Sequence, residues 1–374
     1  MISDIAKIKI ARCAAAAVFW FAIGVLFFEH NGLSTSQAYT LISLYYFGVV
    51  LFEFPTGVIG DHFSHKTALI AGHLITAAAL ILLGLGGGFL YIAVCLLIAA
   101  IGITLTSGSD TALTHALSKN FKKDQSQIKL YATAVIVAAT ALGPLLAAID
   151  IGLPFIITGI CNVVAALFIW SIHTPSPRSS EGNLFRTARK SFSEIRQRPL
   201  IFRFLILSAS IMAFMVSLKW FYNPLLAEMN VPLAYWGVIM GLSLLVPLFG
   251  IAVYRYGQRT HIVAGFLLFA LSIIPIGLVQ IAAISILALY VTAVLSGYLD
   301  AAIDILLNNT IQTVQRAGIL SLSNLLSRLG AGAYMPAAGF IFERTSFLVL
   351  MISTSIGLLL VCASSLLYVT RTKH

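Results

Sequence analysis

Asp300, Asp304 and Asn308 in "LDAAIDILLNN" recur every fourth residue, as do Glu53, Gly57 and Asp61 in "FEFPTGVIGD". Residues four apart share one face of a helix, so each stretch aligns two carboxylates within an apolar run. A carboxylate there is costly unless it is paired, hydrated or protonated. Two cations lie in similar surroundings, Lys219 in "MVSLKWFYNPLL" and Arg328 in "NLLSRLG". The chemistry on offer is proton binding, ion pairing and the holding of a charged ligand. There is no Walker-type phosphate loop to couple ATP. Cys13, Cys95, Cys161 and Cys362 all lie in apolar segments without metal-ligand spacing. We expect no enzyme activity, no metal site and no cofactor.

These residues need elements that hold them in an apolar medium. Hydrophobic residues make up 59% of the 374 residues and charged ones 10%, whereas soluble domains carry about a quarter charged. This is the composition of an all-α integral membrane protein. A bilayer core needs roughly 20 apolar residues of helix. Segments of that length fall at about 10–28, 38–59, 67–85, 89–109, 130–149, 153–172, 204–226, 234–254, 261–280, 283–307, 321–342 and 347–369. We number them spans 1 to 12. The Lys and Arg residues gather in the even-numbered loops and at the two ends, with Arg344 the one basic residue in an odd loop. That asymmetry predicts cytoplasmic termini. The net charge of +10 then reflects topology and attraction to anionic inner-leaflet lipids, not nucleic-acid binding.

A polar stretch, "TPSPRSSEGNLFRTARKSFSEIRQRP", divides the chain into a six-helix bundle at 1–174, a cytoplasmic linker at 175–203 and a second bundle at 204–374. The end of the linker suits a short amphipathic helix on the membrane surface or a solvated tether. The halves repeat each other. After span 2, Gly57, Asp61, His62, Ser64, His65 and Lys66 follow the spacing GxxxDHxSHK; after span 8, Gly250, Tyr254, Arg255, Gly257, Gln258 and Arg259 occupy the same six positions. "SGSD" at Ser107 to Asp110 in span 4 is echoed by "SGYLD" at Ser296 to Asp300 in span 10. Two pseudo-symmetric parallel bundles imply alternating access by rocking of one against the other.

The GxxxD[R/H]xG[R/K][R/K] pattern between spans 2 and 3 resembles the signature of the major facilitator superfamily, over the full chain. Ser64 stands where the usual glycine would, and Tyr254 where the second copy would carry aspartate. "FEFPTG", "EHNGLSTSQ" and "QRAGILSLSNLLSRL" look like the multidrug and tetracycline-efflux branch. The antiporter motif of span 5 survives as "ATALGPLLAA", with Gly143 and Pro144 retained and Ala139, Ala147 and Ala148 in place of glycines.

The resemblance implies a central cavity lined by spans 1, 4, 7 and 10. It makes Asp300 the first candidate for proton coupling, with Glu53 and Asp304 behind it and a structural ion pair as the alternative for Asp300. Lys219 could pair with Asp300, bind an anionic group or snorkel to the interface; Trp220, Tyr222 and Asn223 would supply stacking and hydrogen bonds. Trp20 and Tyr46 are further cavity candidates, with core packing as their other role. Asp110 is expected to anchor the gate region on a Lys or Arg neighbour. At 1.5 Å per residue, Glu53 lies roughly 12 Å and Arg328 roughly 10 Å from the cytoplasmic surface. Spans 2 and 11 meet in this family, so the two are expected to form a cytoplasmic gate, with Asp61 at the N-terminus of span 11; a static contact of Glu53 within the first bundle is the alternative. The gate predicts that Glu53→Arg combined with Arg328→Glu recovers transport that each single change loses. A double variant no better than the singles in a flux assay rules the pair out.

The implied function is proton-coupled export of a small organic, amphipathic compound. Uptake of an organic anion or nutrient by symport is the alternative, and a membrane sensor that moves nothing a further one. Short loops and tails suggest a bacterial inner membrane. The expected partners are the substrate, protons and lipid, and the expected state is monomeric.

Overall fold

The computed structural model describes residues 2–62, 64–173, 199–254, 261–278, 281–310 and 316–371. The expected amphipathic helix of the linker lies outside them, and the side chains of Gly57, Asp61, His62 and Asn308 are likewise outside what is described. Every described element is helical, and together they form an all-α bundle. Seven helices among the described residues are long and apolar enough to cross a membrane, and one bent pair can serve as an eighth. The other expected spans are the helix Thr35–His62, the pair His261–Ser272 and Ile274–Leu278, and the long helices Arg316–Arg344 and Phe347–Arg371.

Four spans are broken, and the breaks have local causes. Span 1 is the helix Asp4–Ala15, a 3-10 turn Trp20–Ala22 and the helix Gly24–His30, bent by 53°. Lys7 and Lys9, which lie before the apolar run at 10–28, belong with Arg12 to the first helix of span 1. Span 4 divides into Phe89–Thr106 and Ser109–Leu117 at Gly108, whose φ of +79° suits glycine. Span 8 divides into Leu233–Ser243 and Pro247–Tyr254, where a proline cannot continue the ladder of the preceding turn. Span 9 divides at Ile273. Span 10, Ala282–Thr310, runs unbroken, so "SGYLD" does not repeat the break of "SGSD". Between spans 3 and 4, Gly86 and Gly87 adopt positive φ, making "GLGGG" a turn.

The chain forms two compact units, Met1–Leu184 with Pro232–Gly241, and Phe185–Val231 with Leu242–His374. We call them unit 1 and unit 2. In unit 1, Ile8 and Ala11 of span 1 pack with Leu69, Leu113, Ala165, Ile169 and Ile172 from spans 3, 4 and 6. In unit 2, span 7 (Pro199–Glu228) lies against span 11 (Arg316–Arg344) and span 10.

Candidate functional site

The break in span 4 restarts a helix at Ser109 and puts Asp110 in its first turn, where the dipole favours an anion. Arg12 of span 1 forms an ion pair with its carboxylate. Asp110 thus has a basic neighbour in Arg12. Other basic residues of unit 1 also point inward. Lys9 donates to Asp124 at 2.6 Å and to Gln127 at 2.7 Å. Lys7 donates to the Ser171 carbonyl at 2.6 Å, and Lys66 to the Ile172 carbonyl at 2.5 Å. Both carbonyls lie just beyond Trp170, where span 6 (Leu153–Trp170) ends and a helix leaves its acceptors unsatisfied. Lys66 of the loop motif is thus a C-cap for span 6. Its neighbour Ser64 caps span 3 (His65–Gly84), its Oγ accepting from the Thr67 N–H at 3.2 Å. A hydroxyl can do this and glycine cannot, which accounts for serine in the glycine position. His65 is half-buried, and its Nδ1 has no hydrogen-bond partner among the described residues.

The break in span 1 is held from two sides. The Phe19 N–H donates to Thr158 Oγ1 at 3.0 Å. Against the Phe19 carbonyl stands Gly143 of span 5 (Phe121–Ala147), where an added Cβ would lie 1.8 Å from the oxygen. Pro144 is buried beside it. The polar support continues inward: Asn162 Nδ2 donates to the Thr158 carbonyl at 3.0 Å, and His73 Nδ1 lies 3.0 Å from Asn162 Oδ1. His73 is accordingly a buried packing residue. Trp20 stacks on Phe155 at 5.7 Å with planes 7° apart. Tyr46 is half-buried and meets Tyr45 edge-on at 5.6 Å. Both sit in aromatic packing within unit 1.

One contact in unit 1 went unread in the sequence, although its signal was there. Gly237 and Gly241 of span 8 form a Gly-x3-Gly pair. An added Cβ at Gly237 would lie 2.3 Å from the Ala141 carbonyl, and one at Gly241 would lie 3.2 Å from the Val137 carbonyl. Small residues at this spacing let two helix backbones approach closely.

Unit 2 carries the other candidates. Asp300 is half-buried and Asp304 exposed, one turn apart and in electrostatic contact. Among the described residues Asp300 forms no salt bridge. Lys219 is half-buried in span 7, and it too forms no salt bridge among them. Depth separates the two. Measured from the odd-loop ends of their helices, Lys219 lies about 14 Å in and Asp300 about 27 Å. The offset exceeds a lysine's reach, so the suggested pairing of Lys219 with Asp300 is not formed here. Trp220, Tyr222 and Asn223 are buried, with 8%, 2% and 2% of their surface exposed. Glu53 is half-buried in unit 1 and Arg328 half-buried in unit 2.

A family profile described as Major Facilitator Superfamily matches residues 9–246. The chain belongs to the major facilitator superfamily. It is a transporter by family and not an enzyme. Similar solved structures span the whole chain. A bacterial homologue of the human lysosomal transporter Spinster superposes with a TM-score of 0.78 at 14% identity, covering 97% of this chain and 96% of that one. The nucleoside transporter NupG gives 0.80 at 13% identity, with 98% of each chain covered. The POT family transporter PepTSo gives 0.76 at 14%, covering 99% of this chain and 98% of that one. At these identities the likeness establishes the fold alone. Comparison with curated proteins gives no match.

As a major facilitator the chain should carry its loop motif twice, and unit 2 shows what replaced the acidic residue of the second copy. Gly250, the counterpart of Gly57, lies so close to span 10 that an added Cβ would sit 1.9 Å from the Val294 carbonyl. Tyr254, in the aspartate position, meets Tyr298 edge-on at 5.4 Å. Where the first copy of the motif has Asp61, the second copy makes an aromatic contact.

Proposed function

We propose that this major facilitator is a proton-coupled antiporter that exports a small organic, amphipathic compound by alternating access. The observation that carries the reading is the pair Asp300 and Asp304, two carboxylates a turn apart in span 10, with Asp300 outside every salt bridge among the described residues. Like charges at that spacing repel, so binding one proton relieves the pair and releasing it restores the repulsion. A group that changes charge in this way can tie substrate movement to the proton gradient. Glu53 and Arg328 serve as the gate in this reading, and no cofactor besides the gradient is needed. Gly143, seated on the Phe19 carbonyl of span 1, and its neighbour Pro144 supply the antiporter element in this reading.

Symport of an organic anion is the second reading, and Lys219 favours it. Proton flux in proteoliposomes under an imposed pH gradient separates the two. With cationic, zwitterionic and anionic compounds in turn, antiport predicts that an active compound drives protons opposite to its own movement. Parallel movement establishes symport, and a compound that crosses without moving protons removes coupling altogether.

A further inference from the structure

Lys219 poses a problem of charge compensation. It lies about 14 Å from the nearer end of its helix, in the most enclosed of the apolar spans. A lysine so placed is costly unless something of opposite charge is near it. Unit 2 contains five acidic residues, Glu194, Glu228, Asp300, Asp304 and Glu343. Glu194 lies in the linker, outside the described residues, and none of the other four forms a salt bridge with Lys219. Asp300 and Asp304 are more than a turn too deep, and Glu228 stands at the helix end. Among the described residues of unit 2, no acidic side chain completes this site.

The surroundings of Lys219 are polar. On span 7, Tyr222 and Asn223 stand three and four residues beyond Lys219, on its face of the helix. The Tyr222 hydroxyl is hydrogen-bonded to Ser243, the last residue before the break in span 8, and is near Tyr290 of span 10. Tyr290 lies about 12 Å from the end of its helix, level with Lys219. Irregular backbone at membrane depth is tolerated where it lines a cavity or is enclosed by protein. Lys219 itself is half-buried.

We infer that Lys219, with Tyr222, Asn223, Ser243 and Tyr290, binds the oxyanion of a small organic substrate, a carboxylate, phosphate or sulfonate. The inference rests on the transport reading above and names the charge of what is carried. Lysine supplies the charge, and the phenol and amide supply donors that fix the orientation of the oxyanion. Its depth keeps Lys219 away from lipid phosphates at the membrane surface.

The test uses the full chain purified in an uncharged detergent. Melting temperatures of wild type and Lys219→Met are compared, first without ligand. Each is then titrated with benzoate, phenyl phosphate and naphthalene-1-sulfonate, and with benzylamine and benzyl alcohol as cationic and neutral controls. The unliganded Lys219→Met protein is expected to melt above wild type, because an uncompensated buried charge has been removed. At least one anion should stabilise wild type saturably while the controls do not, and its affinity should fall about tenfold or more in Lys219→Met. Lys219→Arg, which keeps the charge, should retain anion binding in part. A lower melting point or failure to fold for both Lys219→Met and Lys219→Gln would show that the ammonium has a partner within the protein, and overturns the inference. So does unchanged anion affinity in Lys219→Met, or stabilisation of wild type by benzylamine alone or by none of the anions. Flux in proteoliposomes separates this failure from failure of the transport reading: cations that drive protons leave transport standing without the anion site, whereas no movement of any compound removes transport itself.

Discussion

Replacing Asp300 by asparagine is expected to reduce substrate-driven proton movement to the leak of empty liposomes, while the protein still folds and still binds its substrate. Asparagine keeps the size and one oxygen of the side chain but cannot take up a proton in the working range. It also removes the repulsion between Asp300 and Asp304, which are in electrostatic contact one turn apart. The variant should therefore melt no lower than wild type, and this separates a coupling role from a structural ion pair. Loss of a pair would destabilise the protein and leave its partner uncompensated. Asp304→Asn is the companion measurement. Asp304 is the more exposed of the two, so its loss should weaken coupling without abolishing it. Undiminished proton movement in Asp300→Asn would take that residue out of the mechanism and turn attention to Glu53.

Gly143→Leu should have the largest effect on stability, with a cost of ~3 kcal/mol or more. The first atom of any side chain there falls 1.8 Å from the Phe19 carbonyl oxygen. That oxygen cannot retreat freely, because the Phe19 N–H, on the other side of the Phe19 Cα, is held by Thr158. Even Gly143→Ala should be strongly destabilising. Gly357→Ala is the control: it lies within a helix of span 12 with no atom near its added Cβ. Alanine should stabilise that helix by up to ~1 kcal/mol. Thermal melts of the purified variants give the comparison, and a Gly143→Leu protein that melts with wild type would mean that span 1 is not clamped at Phe19.

The fold was legible because a membrane simplifies the reading: apolar runs mark helices, and each expected span is matched by helix. What the pattern could not show was the four breaks, since a turn buried among apolar residues keeps the same hydropathy. Gly108 and Pro247 carried that information, but an isolated glycine or proline in an apolar run also fits a continuous or kinked helix. Single-residue roles divide in the same way. Asp110 could be read as an anchor because a charge in an apolar helix needs a partner, and Arg12 is that partner. Lys219 and Asp300 form no salt bridge with each other among the described residues, and their relative depth could not be read because it depends on where each helix starts. Gly237 and Gly241 went unread because glycines are common in such helices, and only the neighbouring carbonyls reveal which of them are in close contact.

The exchange of an acidic residue for Tyr254 has a consequence for how the two units respond to their medium. The ion pairs Lys7–Asp4, Lys9–Asp124 and Arg12–Asp110 lie in unit 1. In unit 2, Tyr254 and Tyr298 make an uncharged contact at the corresponding motif. Mobile ions screen charged contacts and leave aromatic ones almost untouched. Ionic strength thus acts on those three contacts of unit 1 and passes over the tyrosine pair that stands at the motif position of its twin.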